Sequence, residues 1–409
     1  MTQELTGVKI ADRVYWVGAV DREIRNFHGY LTSRGTTYNA FLVLADKITL
    51  IDTVKAPFYD ELMARISSVI DPAKIDYIVS NHSEMDHTGC LPRVAAAVKP
   101  EKVFASQQGR AALGEHFGAG LEVVAVSDAQ ALDLGSDKLS FFETRMCHWP
   151  DSMVSYLHGP GVLFSQDAFG MHLASAERFD DELDASPLEH ELAKYYANIL
   201  MPLAAPIKKA LAKLTGSGLD FKLVAPDHGP IWRRNFPRVL ELYERWSGSR
   251  RTRKAVVVYD TMWQSTRKMA EAVGDGLTAG GATAVVMPLE GSHRSDVATE
   301  VLDAGALIVG SPTMNNQIFP TVADVMCYLQ GLRPAGLIGA AFGSYGWSGE
   351  AAKLLSCMLD AMKVEQVAEP VRAKYVPSAE DLSACRELGA KVARRLTEAY
   401  PVRFATPPP

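Results

Sequence analysis

Apolar positions change rhythm along this chain near residue 250. Before that point short β-like runs recur, at Val14–Val17, Phe41–Leu44, Ile48–Asp52, Tyr77–Ser80, Val103–Ala105, Leu139–Glu143, Val154–Leu157, Val162–Phe164 and Lys222–Ala225. Helical spacing fills some of the gaps, as over Pro57–Ile70 and Ser186–Leu214. Two sheets covered by helices would bury such faces. Beyond residue 250 strands and helices alternate more regularly. The strand-like runs are Ala255–Tyr259, Ala284–Pro288, Leu307–Gly310, Leu337–Phe342 and Glu365–Ala368, and helical patterns follow most of them. This alternation predicts a doubly wound parallel sheet of about five strands. Between the regions Ser247–Lys254 reads SGSRRTRK, polar and basic, after a helix-like stretch at Arg238–Trp246. The expected division is 1–250 and 251–409, both parts of α/β class.

Composition narrows the classes. A chain of 409 residues exceeds one ordinary core. Apolar residues at 47% and charged residues at 22% are the proportions of a globular protein. A net charge of −6 argues against binding nucleic acid or an anionic membrane in bulk. The N-terminal MTQELTGVKIADRVYW lacks a basic and then an apolar region, so no export signal is expected, and no apolar run is long enough to span a bilayer. Low complexity is confined to Pro407–Pro409. The five cysteines, Cys90, Cys147, Cys327, Cys357 and Cys385, are scattered and form no CxxC. That argues against a disulfide framework, a zinc ribbon or an iron–sulfur cluster, and points to the reducing cytoplasm.

Candidate chemistry concentrates where predicted strands end. The segment Ile75–Cys90 reads IDYIVSNHSEMDHTGC and places His82, Glu84, Asp86 and His87 within six residues. In an extended loop i and i+2 point the same way, so His82 and Glu84 suit one metal while Asp86–His87 serve a second. His148, Asp167 and His228 also follow predicted strands. Alone, His148 or His228 reads as a hydrogen-bonded structural histidine and Asp167 as a turn or helix cap. The dense cluster changes that reading. Four imidazoles and three carboxylates suffice for two metals that share a bridging carboxylate.

The pattern H-x-[HE]-x-D-H with distant His, Asp and His resembles the metallo-β-lactamase fold superfamily. Most of that superfamily has histidine where this chain has Glu84, holds zinc and hydrolyses its substrates. The extra carboxylate makes the site harder and more anionic, which favours iron in both of its oxidation states.

The second half carries a different motif. Ala255–Ala270 reads AVVVYDTMWQSTRKMA, a strand, a hydroxyl-rich loop and a helix. Loop N–H groups and the helix N-terminus form an anion site. Without GxGxxG or GxxxxGK[ST], a mononucleotide phosphate is expected rather than a dinucleotide or ATP. Two more loops, GSPTMNN at Gly310–Asn316 and FGSYGWSG at Phe342–Gly349, follow apolar strands and would meet the first at the carboxyl edge of the sheet. Each aromatic by itself reads equally as packing, and the first loop alone as a capped helix. The three loops together resemble the flavodoxin family, which implies FMN. The expected contacts are Thr261, Met262, Trp263, Gln264, Ser265 and Thr266 in the first loop. The second supplies Pro312, Thr313, Met314, Asn315 and Asn316, and the third Ser344, Tyr345, Gly346, Trp347, Ser348 and Gly349.

A metallo-β-lactamase-like sandwich with a glutamate ligand, followed by a flavodoxin-like sheet, resembles the flavodiiron proteins (A-type flavoproteins) over essentially the whole chain. The matching pieces are FHGYLTSRGTTYN, HSEMDH, HWPDSM, DAFGMH, KYYANILMP, APDHG, YDTMWQST, GSPTMNN and FGSYGWSG. The resemblance implies that His82, Glu84, His148 and Asp167 hold one iron, and that Asp86, His87, Asp167 and His228 hold the other. Relatives differ in whether the histidine at His87 touches metal. It also implies catalytic roles for His28 and Tyr196 above the irons. The implied activity is reduction of O2 to water, of NO to N2O, or both, with electrons from an external carrier such as rubredoxin or a reduced deazaflavin. A homodimer or dimer of dimers is expected, with the FMN of one chain beside the irons of the other. The chain shows neither a rubredoxin nor a flavin-reductase module, so the two-domain class is expected. Two other readings stay open: a zinc hydrolase fused to a flavodoxin, and an electron carrier with a degenerate scaffold.

Overall fold

The computed structural model describes residues 5–401, so Pro407–Pro409 lie outside the described residues. The chain forms two compact units. The first comprises Met1–His28, Thr32–Tyr195 and Leu203–Glu244, and the second Gly29–Leu31, Tyr196–Pro202 and Arg245–Pro409. The second unit thus starts at Arg245 rather than near residue 251, and takes in two short segments that a linear division misses. One of them is held by Asn198, whose Nδ2 donates to Ser295 O at 3.1 Å and whose Oδ1 accepts from the Tyr328 hydroxyl at 2.8 Å.

In the first unit a seven-stranded sheet runs in the order Val8–Ala11, Val14–Trp16, Phe41–Val43, Thr49–Ile51, Tyr77–Ser80, Lys102–Ser106, Val123–Val126. Its last four strands are parallel. A five-stranded sheet runs Ala131–Asp133, Lys138–Glu143, Met153–Leu157, Val162–Gln166, Leu223–Pro226, with only its last pair parallel. The inner faces share one core, in which Phe41 and Phe164 meet at 5.1 Å between ring centroids. The outer face of the larger sheet buries Leu62, Ile66, Leu91, Val94 and Leu113 from three helices, Tyr59–Ser67, Leu91–Val98 and Gln107–Phe117. This is the expected sandwich with helical cover.

The pattern read as one helix over Ser186–Leu214 breaks in two. Ala185–Tyr195 and Ala204–Thr215 are α-helical, separated by one π-helical turn at Tyr196–Leu200 and a short 3-10 turn at Met201–Leu203. Pro202 sits in that break, where its missing N–H cannot continue an α-helical ladder.

The second unit has the parallel strand order Thr283–Pro288, Lys254–Tyr259, Ala306–Met314, Ile338–Tyr345, then Glu365–Gln366 and Val371–Lys374. In local numbering this is 2-1-3-4-5, whose switch point lies between the first and third strands, where a ligand crevice opens. The fifth strand, expected as Glu365–Ala368, is split in two and extends to Lys374; Pro370, which has no N–H to donate, lies in the gap. Among the described residues no helix is long and apolar enough to cross a membrane.

Helices Ser265–Ala279 and Ala379–Ala399 pack closely because glycines meet backbone. A Cβ on Gly276 would collide with the Arg386 carbonyl oxygen, and one on Gly389 with that of Val273. Gly276→Ala is therefore expected to destabilise the second unit by about 1–3 kcal/mol, the usual cost of overpacking. A thermal melt with unchanged midpoint would contradict it.

Candidate metal centre and flavin cleft

Every expected metal ligand of the first unit lies just past the carboxyl end of a strand or on the loop that leaves it. His82 and Glu84 follow Tyr77–Ser80, and Asp86 and His87 ride the short helix Met85–Thr88 that begins directly after Glu84. His148 lies in the loop after Lys138–Glu143, Asp167 directly follows Val162–Gln166, and His228 comes two residues after Leu223–Pro226. Asp52 pins the first of these loops: its carboxylate accepts from Asn81 N and Asn81 Nδ2, each at 2.7 Å.

The seven side chains converge in two groups that meet at Asp167. Its Oδ2 lies 2.9 Å from His148 Nε2 and 3.5 Å from His82 Nε2, while Glu84 Oε2 lies 3.1 Å and 3.3 Å from those nitrogens. Its Oδ1 lies 3.1 Å from His87 Nε2 and 3.3 Å from His228 Nε2, while Asp86 stands 3.4 Å and 3.2 Å from them. Donors about 2.1 Å from one shared metal are separated by roughly this much at ordinary bond angles. Both carboxylate oxygens of Asp86, Asp167 Oδ1 and His87 Nε2 are buried without a hydrogen bond among the described residues. Buried polar atoms left in that state fit a metal rather than a hydrogen-bonded core.

Electrostatics agree. Burial alone would lower the His82 pKa, but Asp151, Glu84 and Asp167 outweigh it and raise it to about 10. Burial would raise Asp167, yet the imidazoles of His87, His148 and His228 hold it well below the usual carboxylate range. The pocket binds positive charge at its centre, which a divalent metal supplies in place of protons.

Outer partners orient the ligands. His82 Nδ1 faces Asp151 Oδ2 at 3.2 Å, and the same oxygen accepts from Ser83 N at 2.6 Å. His228 Nδ1 stands 2.6 Å from Thr37 O. Asp151 and Asp227 were not singled out in the sequence, although both lie inside quoted segments, HWPDSM and APDHG. Nor was His172, a buried imidazole whose ring sits 4.8 Å from that of His228 and whose Nδ1 is 2.9 Å from Thr36 Oγ1. Burial and then the His228 charge push its pKa well down.

Of the two residues expected above the irons, His28 lies beside the ligand set: its Nε2 is 3.4 Å from Glu84 Oε1 and its side chain is 77% exposed. Tyr196 is a correction. The π-helical turn begins at this residue, and its ring packs on Trp246, 5.1 Å away, within the second unit. The tyrosine that meets the histidine cluster is Tyr195, 5.1 Å from the His172 ring and 6.1 Å from His228. Burial first, and then the charge of Asp167, hold its hydroxyl well above the usual phenol range.

In the second unit the three predicted loops enclose a cleft of about 550 Å³ at the carboxyl edge of the sheet. Met262, Trp263 and Ser265 line it from the first loop, Pro312–Asn315 from the second, and Ser344–Trp347 from the third. Trp263 and Trp347 are 88% and 85% exposed, two indoles at the mouth available to cover a flat ring. The Thr261 hydroxyl is buried without a hydrogen-bond partner among the described residues, and helix Ser265–Ala279 starts four residues later, a donor arrangement that fits a phosphate. The left-handed Gln264 (φ +67) makes the turn into that helix.

The remaining expected contacts act on the loops. Thr266 is fully buried and its hydroxyl is bonded to Ser344 Oγ at 2.8 Å, tying the first loop to the third. Asn315 and Asn316, both with positive φ, form the two-residue turn between Ala306–Met314 and Gln317–Ile318. Ser348 Oγ donates to Asn316 Oδ1 at 3.1 Å, and Gly349 precedes helix Glu350–Ala361. Tyr375 and Val376 also line the cleft. They escaped notice because the fifth strand was ended at Ala368, seven residues before Tyr375.

Comparison with known proteins places both halves. Residues 36–229 match the ODP family beta lactamase and residues 257–389 the flavodoxin family. A protein of Moorella thermoacetica named nitric oxide reductase is 46% identical over 96% of this chain and 99% of its own length. The rubredoxin:oxygen oxidoreductase of Desulfovibrio gigas has a solved structure with a TM-score of 0.94 at 44% identity, covering 96% of this chain and 99% of that one. The flavodiiron protein of Giardia intestinalis gives a TM-score of 0.93 at 32% identity, over 97% and 98% of the two chains. With relatives this similar along its length, a donor set built for two metals and a flavodoxin cleft, the chain belongs to the flavodiiron proteins, and its cofactors are FMN and a non-haem di-iron centre.

Proposed function

We propose that this chain reduces dioxygen, nitric oxide or both, with electrons drawn from a separate carrier. The observation that carries the reading is the division of one carboxylate, Asp167, between two donor sets, on a chain that also holds a flavin cleft. The printed names of two relatives, nitric oxide reductase and rubredoxin-oxygen oxidoreductase, support it. FMN held in the cleft between the three loops would supply electrons singly or in pairs, and irons held by His82, Glu84, His148, Asp167, Asp86, His87 and His228 would make them available to the gas. Dioxygen becomes two waters on taking up four electrons and four protons; two nitric oxides become nitrous oxide and water on taking up two of each.

The protein's own part is to hold the metals and deliver protons. His28 reaches Glu84 with Nε2 while most of its side chain faces solvent, which suits a proton donor that recharges from water. Tyr195 keeps its hydroxyl proton and takes the hydrogen-bonding role expected of Tyr196. Glu84 distinguishes this site from a zinc hydrolase by adding an anionic oxygen where histidine is usual.

A rubredoxin-like protein is the electron donor we favour over a reduced deazaflavin, on the strength of a relative's name. Five unpaired cysteines suit a cytoplasmic setting. We also assign an obligate homodimer, or a dimer of dimers. Each site lies at the strand-end edge of its own unit, and electron transfer decays steeply with distance. Two-fold head-to-tail pairing brings each flavin to the partner's irons twice over.

Loaded anaerobically with iron and FMN, the chain is expected to hold about two irons and one flavin. Once reduced, it should be reoxidised by O2 or NO, followed by absorbance. Zinc in place of iron, or no reoxidation by either gas, would refute the reading. Glu84→His should retain FMN but slow gas reduction at least tenfold; full activity in that variant would count against Glu84 as a ligand. Mixing a His82→Ala, His148→Ala variant with a Thr261→Ala, Ser265→Ala variant under subunit exchange should restore activity. A mixture that stays inactive after demonstrated exchange excludes transfer between chains.

A further inference from the structure

We propose that Asp227 is a positioning residue that turns His87 onto the second iron. The inference rests on the di-iron reading above, and concerns the one ligand on which relatives were expected to differ.

His87 is fully buried, and its ring has two chemically different edges. Nε2 faces the metal position, 3.1 Å from Asp167 Oδ1 and 3.4 Å from Asp86 Oδ1. Nδ1 points the other way, 3.5 Å from Asp227 Oδ2. An imidazole that ligates through Nε2 carries its proton on Nδ1, and in a buried site that proton needs an acceptor. For His82 the acceptor is Asp151, and for His228 it is the carbonyl of Thr37. Asp227 Oδ2 takes the corresponding place behind His87 at 3.5 Å, where the two facing atoms, both buried and without another partner among the described residues, have not closed to a hydrogen bond.

Asp227 lies with His87 and Asp167 in one buried cluster. It is fully buried, and neither of its carboxylate oxygens has a hydrogen-bond partner among the described residues. A carboxylate in that state is costly unless a donor completes it. The neighbouring buried carboxylate, Asp52, is already satisfied by Asn81 N and Nδ2. The Nδ1–H of His87 is the donor that faces Asp227.

The backbones of both residues are clamped, so the pairing is not an accident of two loose side chains. Asp227 N donates to Gln166 O at 2.9 Å, and Asp227 O accepts from Asn39 N at 2.7 Å. His87 N donates to Glu84 O at 3.0 Å, and its carbonyl accepts from Thr53 N at 3.2 Å. Gln166 immediately precedes the bridging Asp167. The strand end that supplies the bridge therefore also sets the distance from Asp227 to His87.

The test compares the parent chain, Asp227→Asn, His87→Ala and the double variant, each loaded anaerobically with ferrous iron and FMN. Iron retained against a graded chelator is measured, together with nitrogen hyperfine couplings in pulsed EPR of the mixed-valence state. Asp227→Asn is expected to keep FMN, to release one iron at a chelator concentration about tenfold to a hundredfold lower, and to alter one nitrogen coupling. His87→Ala should lose that coupling, and adding Asp227→Asn to it should change nothing further. Unaltered couplings and iron retention in Asp227→Asn would overturn the proposal. So would a full-sized additional loss in the His87→Ala background, because Asp227 would then act on the metal without His87. Should Asp227→Asn fail to fold, Asp227→Ser removes the carboxylate while keeping a small polar group, and the same comparisons decide. A parent chain that takes up no iron would instead refute the di-iron reading itself.

Discussion

The first unit is organised around the Asp167 carboxylate and what its two oxygens require. Buried away from water, an ionised carboxylate persists only when positive charge or strong donors surround it. Four imidazoles do so, two on each oxygen, and their own charge is balanced by Glu84 and Asp86. Held by protons alone, the arrangement leaves Asp86 and Asp167 Oδ1 without hydrogen bonds among the described residues. A metal in each half would supply the missing partners, and the donor set suits two cations.

That requirement explains the layout of the sandwich. Ligands come from four strand ends belonging to two different sheets, and a shift in any one would break the shared geometry of both metal positions. The clamps are accordingly backbone and buried carboxylate contacts rather than flexible surface pairs. Asp52 fixes Asn81 ahead of His82, Thr37 fixes His228, and Gln166 fixes Asp227. Rigid support of this kind keeps donors in place when the charge on the metals changes, which favours fast electron transfer.

The flavin cleft follows another logic. It needs a phosphate site and a flat slot, and the 2-1-3-4-5 strand order supplies a crevice at its switch point with no special side chains. Specific residues then shape it: the left-handed Asn315–Asn316 turn, the Thr266–Ser344 tie, and the two exposed indoles.

The seven residues that converge on the candidate metal centre and the three loops that enclose the cleft were legible in the sequence because both are local signals. HSEMDH is dense enough to stand out, and each loop directly follows an apolar strand whose end it inherits. The sandwich and the doubly wound sheet were legible for the same reason, since the period of apolar positions reports which face is buried. Which partner orients each ligand was not legible, because Asp151, Asp227 and Thr37 lie far along the chain from the histidines they face. The same holds for Tyr195 over Tyr196: adjacent residues of one type differ only in direction, and a π-helical turn that the sequence pattern does not announce sets that direction. Tyr375 reached the cleft because the last strand, interrupted around Pro370, resumes at Val371–Lys374 beside Ile338–Tyr345. Composition and periodicity therefore determined the elements and the chemistry they carry, while pairwise distances between remote segments, which exist only once the sheets have paired, decided how each ligand is held.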